Sequence, residues 1–212
     1  MQTSFIVQAI QSVYEDVLTH EPDIEKLDRE IGDGDHYINL KRGCQTLQQI
    51  CPELALLTAP QALQKIGMTL LSAVGGASGP LLASFFIAMA KTIQSPATLA
   101  EIALAFAEGV AAIGQRGKSG LGEKTMLDVL IPVAERFKQM ASDGHSALEI
   151  AQQLPQVAAT GLESTRPLLA TKGRAAGLGE RAIGHLDAGA KSCEVMINSV
   201  CRLVIAQQSG ER

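Results

Sequence analysis

Apolar residues recur every three or four positions through most of the chain, the period of an α-helix with one face turned to a core. Ile6, Ile10, Val13 and Val17 form one such stripe, Leu63, Ile66, Leu70 and Val74 a second, and Leu99, Ile102, Phe106, Val110 and Ile113 a third. Strand-like alternation is nowhere sustained. Start signals agree with the periodicity: Thr98 with Glu101 and Ser146 with Glu149 each read as a capping box that satisfies first-turn amides, and Gly144 reads as the stop of the preceding helix. The pattern predicts about eight helices, near residues 3–20, 36–51, 60–75, 78–94, 98–115, 124–141, 146–165 and 188–208. Most links are short, so neighbours should run antiparallel in an all-α, up-and-down bundle. At 212 residues the expectation is one domain spanning the chain.

Four connections break the economy of short links: 21–35, 75–80, 114–124 and 166–189, all rich in Gly or charge. In an up-and-down bundle these four fall at the same end, and their convergence points to a site there. Composition narrows what the site serves. Aromatic residues make up only 3% and Trp is absent, so packing rests on Leu, Ile, Val, Met and Ala. A net charge of -4 with no run of Lys or Arg argues against nucleic acid and against an anionic membrane surface. No stretch supplies the roughly 18 apolar residues of a membrane span, and the N-terminus lacks a basic signal-peptide start, so the expected location is cytoplasmic. Cys44, Cys51, Cys193 and Cys201 form no CxxC pair and read as buried free thiols.

The first connection carries Asp28, Asp33 and Asp35 with glycines at 32 and 34, a tight turn able to bring three carboxylates to one point. Such charges repel unless a cation sits among them, and an oxygen-only set suits magnesium or calcium; the spacing is not that of an EF-hand. The plain alternative is a solvated acidic turn in which Asp35 caps a helix. Gly75-Gly76-Ala77-Ser78-Gly79-Pro80 leads into a helix N-terminus, whose free amides favour an anion, although a tight interhelical turn explains it equally well. In the stretch 117–128, Lys118 or Lys124 is placed to meet a phosphate and Met126 to pack on a base or in the core. The connection 166–189 reads as an ordered lid, with a mobile loop as the alternative.

Taken together, the motifs DREIGDGDHxxN, GMTLLSxVGGASGPL, RGKxxxGxKTMxDV and KGRAxxLGERxIGHxDxGA, in order over residues 28–190, resemble the nucleotide-binding L subunit of the dihydroxyacetone kinases. The resemblance implies an eight-helix antiparallel barrel holding ADP, or ATP, with two Mg2+ at one end. By motif match, Asp28, Asp33 and Asp35 would ligate the metals. His36, Tyr37, Ile38 and Asn39, with Ala77 and Ser78, would meet the phosphate and sugar part, and Gly117, Met126, Arg174, Asp187, Ala188 and Gly189 would surround the rest. Tyr37-Ile38, Ala176-Gly177 and the proline-free Asp187-Ala188-Gly189 depart from the family pattern, which bears on how the nucleotide is covered. The resemblance also implies a separate dihydroxyacetone-binding K subunit and, from the GERxIGH lid, a phosphohistidine-carrying phosphotransferase protein that rephosphorylates a bound ADP. An ATP-dependent split kinase of a related ketose, and a non-catalytic ADP-binding regulatory or scaffold subunit, stay open as alternatives, as does a homodimer.

Overall fold

The computed structural model describes residues 2–210, and among them all regular structure is helical. Ten α-helices follow in order: α1 (Thr3–Thr19), α2 (Glu21–Ile31), α3 (His36–Gln49), α4 (Cys51–Leu54), α5 (Ala59–Ala73), α6 (Ser78–Thr92), α7 (Leu99–Gly117), α8 (Leu127–Ser142), α9 (Ala147–Ser164) and α10 (Ala188–Ser209). A 3₁₀ segment, Arg174–Ala182, lies between the last two. The long helices pack in the sequence α1, α3, α5, α6, α7, α8, α9, α10, and α10 returns against α1, closing the ring into a barrel.

The predicted starts are present. Thr98 accepts from the Glu101 amide and Ser146 from that of Glu149, with the glutamates reaching back to the cap amides at 2.7 and 2.8 Å. Gly144, at φ +84°, ends α8 as expected. One expectation is corrected: residues 21–31 are helix, not connection. His20 ends α1 and also caps α2, so no loop separates them, and only Ile24, Asp28 and Ile31 mark the buried face of this short, highly charged helix. Seven charged residues among its eleven hide so narrow a stripe from periodicity.

Two apolar clusters fill the barrel wall, one built by α7 to α10 and one by α1, α3, α5, α6 and α7. Phe85, Phe106 and Phe137 join them in edge-to-face contacts of 5.3 and 6.2 Å between ring centres. In α8, Pro132 cannot donate to the Asp128 carbonyl, and Gly161 of α9 packs against that carbonyl. A Cβ on Gly161 would lie 2.5 Å from that oxygen, so only glycine fits there. Among the described residues no helix is long and apolar enough to cross a membrane.

Candidate nucleotide and metal site

The four unusual connections do converge. They wall a cleft of about 780 Å³ at one end of the barrel, within the size range of small-molecule sites. Helices α3, α6, α8 and α10 begin at this end, so their first-turn amides, which lack intrahelical acceptors, border the cleft.

On one wall, the last turn of α2 carries Asp28, which is buried, and the following turn carries Asp33 and Asp35, which are exposed. One oxygen from each carboxylate lies within 4.8 Å of the others. The local chain enforces this. Gly32 donates back to the Asp28 carbonyl at 2.6 Å, and the second oxygen of Asp28 accepts the His36 amide at 3.0 Å, so Asp28 rather than Asp35 satisfies the start of α3. Asp35 occupies the cap position without a side-chain cap bond, against the plain reading of it as an N-cap. Asp33 pairs with Arg174 of the fourth connection at 2.6 Å.

His36 lies partly buried with Nε2 2.7 Å from Ser192 Oγ. That hydroxyl also lies 2.9 Å from the Ala188 carbonyl, so it links the His36 ring to the first turn of α10. Burial holds His36 below its ordinary value, although Asp28, Asp35 and Asp33 each pull the other way. Asn39 is buried at the cleft and accepts from Arg42, which also bonds the Ala73 carbonyl just before the glycine turn. Ala77 and Ser78 line the cleft from the start of α6, Gly117 and Met126 from the third connection, and Arg174, Asp187, Ala188 and Gly189 from the fourth.

Two predicted residues are not among them. Tyr37 is buried with Val17, Ile24 and Leu40, its hydroxyl donating to Glu21 at 2.7 Å, and Ile38 is 58% exposed away from the cleft lining. Both follow from the helical turn of α3, which sends His36 and Asn39 to the cleft and the two residues between them elsewhere. The bulk of Tyr37 therefore fills the core instead of covering a ligand.

Lys124 is also corrected. Its ammonium is almost wholly enclosed and donates to the carbonyls of Thr165 at 2.6 Å and His185 at 2.5 Å, so it is not a free phosphate contact. Burial lowers its pKa, while Asp187 and Asp128 act in the opposite sense. Asp187 caps α10 through the Ala190 amide at 2.7 Å, and burial pushes its carboxyl up to about 6. Asp128 was passed over in the sequence, yet Thr125-x-x-Asp128 is a capping signature: its carboxylate accepts the amides of Gly122 and Thr125 at 2.6 and 2.7 Å and shapes the third connection. Ser192 left no signal beyond being a small polar residue on an apolar helix.

The profile of the DAK2 domain matches residues 30–202. The chain belongs to the DAK2 domain family. Within that family it is 44% identical over 176 residues to the ADP-binding subunit of the PEP-dependent dihydroxyacetone kinase of Escherichia coli, covering 81% of this chain and 82% of the relative. The ADP-binding subunit of PEP-dependent dihydroxyacetone kinase 2 of Listeria innocua is 36% identical over 204 residues, 94% of each chain. The corresponding subunit of the PTS-dependent enzyme of Lactococcus lactis is 36% identical, covering 85% of this chain and 87% of the relative. In fold, the chain resembles the dihydroxyacetone kinase of C. freundii solved with AMP-PNP and Mg2+, with a TM-score of 0.74 at 21% identity over 94% of this chain and 34% of that one. The fold class expected from sequence, an antiparallel helical barrel, is thus that of a DAK2 domain.

Proposed function

We propose that this chain acts, as one domain, as the nucleotide-binding subunit of a split dihydroxyacetone kinase in the cytoplasm. It holds ADP, or ATP, with magnesium and serves phosphoryl transfer to dihydroxyacetone bound on a separate K subunit. The observation that carries the reading is the meeting of the Asp28, Asp33 and Asp35 carboxylates, within 4.8 Å, at the mouth of a cleft walled by helix N-termini and by Arg174.

The donor set fits magnesium: three carboxylates and no nitrogen or sulfur ligand, two of them open to solvent so that water and phosphate oxygens can complete the shell. Magnesium held there, two ions on the family pattern, would neutralise charge on the transferring phosphoryl group. The protein's own residues do the rest. Asp28 is fixed by the His36 amide, so one ligand is in place before binding. The amides at Ala77 and Ser78 and the Arg174 guanidinium offer donors to phosphate oxygens. Asn39, fixed by Arg42, presents its side chain to the same part of the cleft, and Gly117, Met126 and Asp187 to Gly189 enclose the remainder of the nucleotide.

The names of the relatives favour a bound ADP rephosphorylated by a phosphohistidine protein of the phosphotransferase system over exchange with free ATP. Calorimetry with ADP, with and without magnesium, tests the site: Asp33→Ala and Asp35→Ala should abolish ADP retention and leave the helical circular dichroism intact. Variants that bind ADP as tightly as the parent would remove the aspartates from the metal site. The purified chain should not phosphorylate dihydroxyacetone until a K-type subunit is added, and turnover by the chain alone would refute the split.

A further inference from the structure

The fourth connection, read as a lid over the cleft it lines, is joined to the barrel through a narrow neck, and one buried side chain spans it. Thr165, at the end of α9, and His185, just before α10, are twenty residues apart in sequence, and the Lys124 ammonium bonds both of their carbonyls. We propose that Lys124 is a positioning residue that holds the lid neck shut and thereby sets how long the nucleotide remains bound. This rests on the reading of the cleft as a nucleotide site.

Apolar contacts of Ile31 with Ala170, Ala175 and Ala182, and the bond of the Asp187 amide to the buried Thr165 Oγ1 at 3.2 Å, also hold this segment, but neither carries a charge that must stay paired. The remaining polar ties lie nearer solvent: Gly184 donates to the Arg166 carbonyl at 2.8 Å and Arg166 donates back to Gly184 at 3.2 Å. Further out, Thr171 donates to Glu123, Arg174 pairs with Asp33, and His185 meets Glu30 at 2.9 Å. Water can replace exposed bonds of this kind at small net cost. It cannot readily replace those of Lys124, which is 1% exposed.

The backbone supports the same assignment. Lys124 sits at φ +59°, a left-handed conformation that Gly122 adopts nearby without penalty, so a side chain is kept where glycine would fit the backbone better. The Asp187 carboxylate favours the charge on the enclosed ammonium. Both hydrogen bonds of the ammonium go to the neck, while Lys124 itself borders the cleft beside Thr125 and Met126, so the enclosed side chain joins the neck to the cleft wall.

Lys124→Met keeps the length of the side chain and removes the charge and the donors. Stopped-flow displacement of a fluorescent ADP analogue bound with magnesium should give dissociation faster by about tenfold or more, with association changed by no more than about twofold. Hydrogen exchange at the Gly184 and Asp187 amides should quicken while amides in α5 and α6 keep the parent rates. A folded Lys124→Met with unchanged dissociation, or with exchange raised equally throughout the barrel, overturns the proposal. Should that variant fail to fold, Arg166→Ala loosens the neck from its exposed side. It should shift dissociation and Gly184 exchange in the same direction by a smaller factor, and no shift in either is equally fatal. If the parent itself binds no ADP, the nucleotide reading fails separately, and exchange at Gly184 and Asp187 still decides whether Lys124 holds the neck.

Discussion

A single methyl group at residue 32 separates a structural from a functional reading of the acidic turn. A Cβ on Gly32 would fall 1.9 Å from Asp28 Oδ1 and 2.7 Å from the Asp28 carbonyl oxygen, so Gly32→Ala forces the Asp28 carboxylate out of its position. Moving it off its rotamer costs about 1 kcal/mol, and losing its bond to the His36 amide costs roughly 1.5–3 kcal/mol because the acceptor is charged. The sum of about 3 kcal/mol should lower Tm by roughly 6–12 °C in a chain of this length. A displaced Asp28 also leaves two carboxylates where three met, and magnesium-dependent ADP affinity should fall at least about 100-fold, beyond what loss of a supporting residue around a metal ligand costs. Gly34→Ala is the control. Gly34 sits at φ +78° with no atom within 4 Å of an added Cβ, so the substitution costs about 1 kcal/mol of backbone strain and displaces no ligand. Its ADP affinity should stay within about threefold of the parent. Calorimetric titration of both variants at fixed magnesium decides the matter: equal affinities for Gly32→Ala and the parent, or equal losses in the two variants, would refute the placement of Asp28 as a ligand.

Gly161→Ala should destabilise the fold by about 2 kcal/mol in urea, because the methyl meets the Asp128 carbonyl and the Val129 backbone where α8 and α9 touch. Asp187→Asn should change the pH profile of stability. With the folded carboxyl raised from 3.8 to about 6, its contribution is fully present below 3.8 and is lost as pH rises through about 6. The parent should therefore lose stability relative to the Asn variant, which can still cap α10, between about pH 4 and 6 in thermal melts. Thr98→Ala and Ser146→Ala should each lower Tm by about 2–4 °C. Glu101 and Glu149, held below the usual carboxylate range by their cap amides, contribute stability present above their unfolded value, so both effects should shrink as pH falls through the lowered folded values.

What the sequence made legible was whatever depends on neighbours along the chain. Period and caps place the eight long helices, and alternation of direction puts four connections at one end, because each link leaves a C-terminus and enters an N-terminus there. Helix α2 escaped since its buried face is only Ile24, Asp28 and Ile31, and one of those three is an aspartate turned toward the cleft. Tyr37 and Ile38 were misplaced for the opposite reason. A motif groups consecutive residues, whereas a helix distributes them over its circumference, so His36 and Asn39 share the cleft and the pair between them does not.

The bonds that turn four loops into one site lie beyond any local reading. His36 meets Ser192 across 156 positions, His185 meets Glu30 across 155, Thr171 meets Glu123 across 48, and Lys124 reaches Thr165 across 41. Two join the borders of the first and fourth connections and two join those of the third and fourth, and none follows from spacing or composition. In the sequence Lys124 carries the same weight as Lys118, two cations in a glycine-rich stretch before a helix. Burial separates them: Lys118 stays in contact with solvent, and Lys124 is enclosed with its donors directed to the carbonyls of the lid neck. A charge enclosed in this way keeps its place only while those carbonyls keep theirs, which couples the third connection to the fourth. The acidic turn is coupled to the fourth as well, through Arg174 and Asp33 and through the apolar contacts of Ile31 with Ala170, Ala175 and Ala182. A ligand that engages the aspartates therefore acts on the same lid whose neck Lys124 secures, so metal affinity and lid opening should respond together to substitutions in either place.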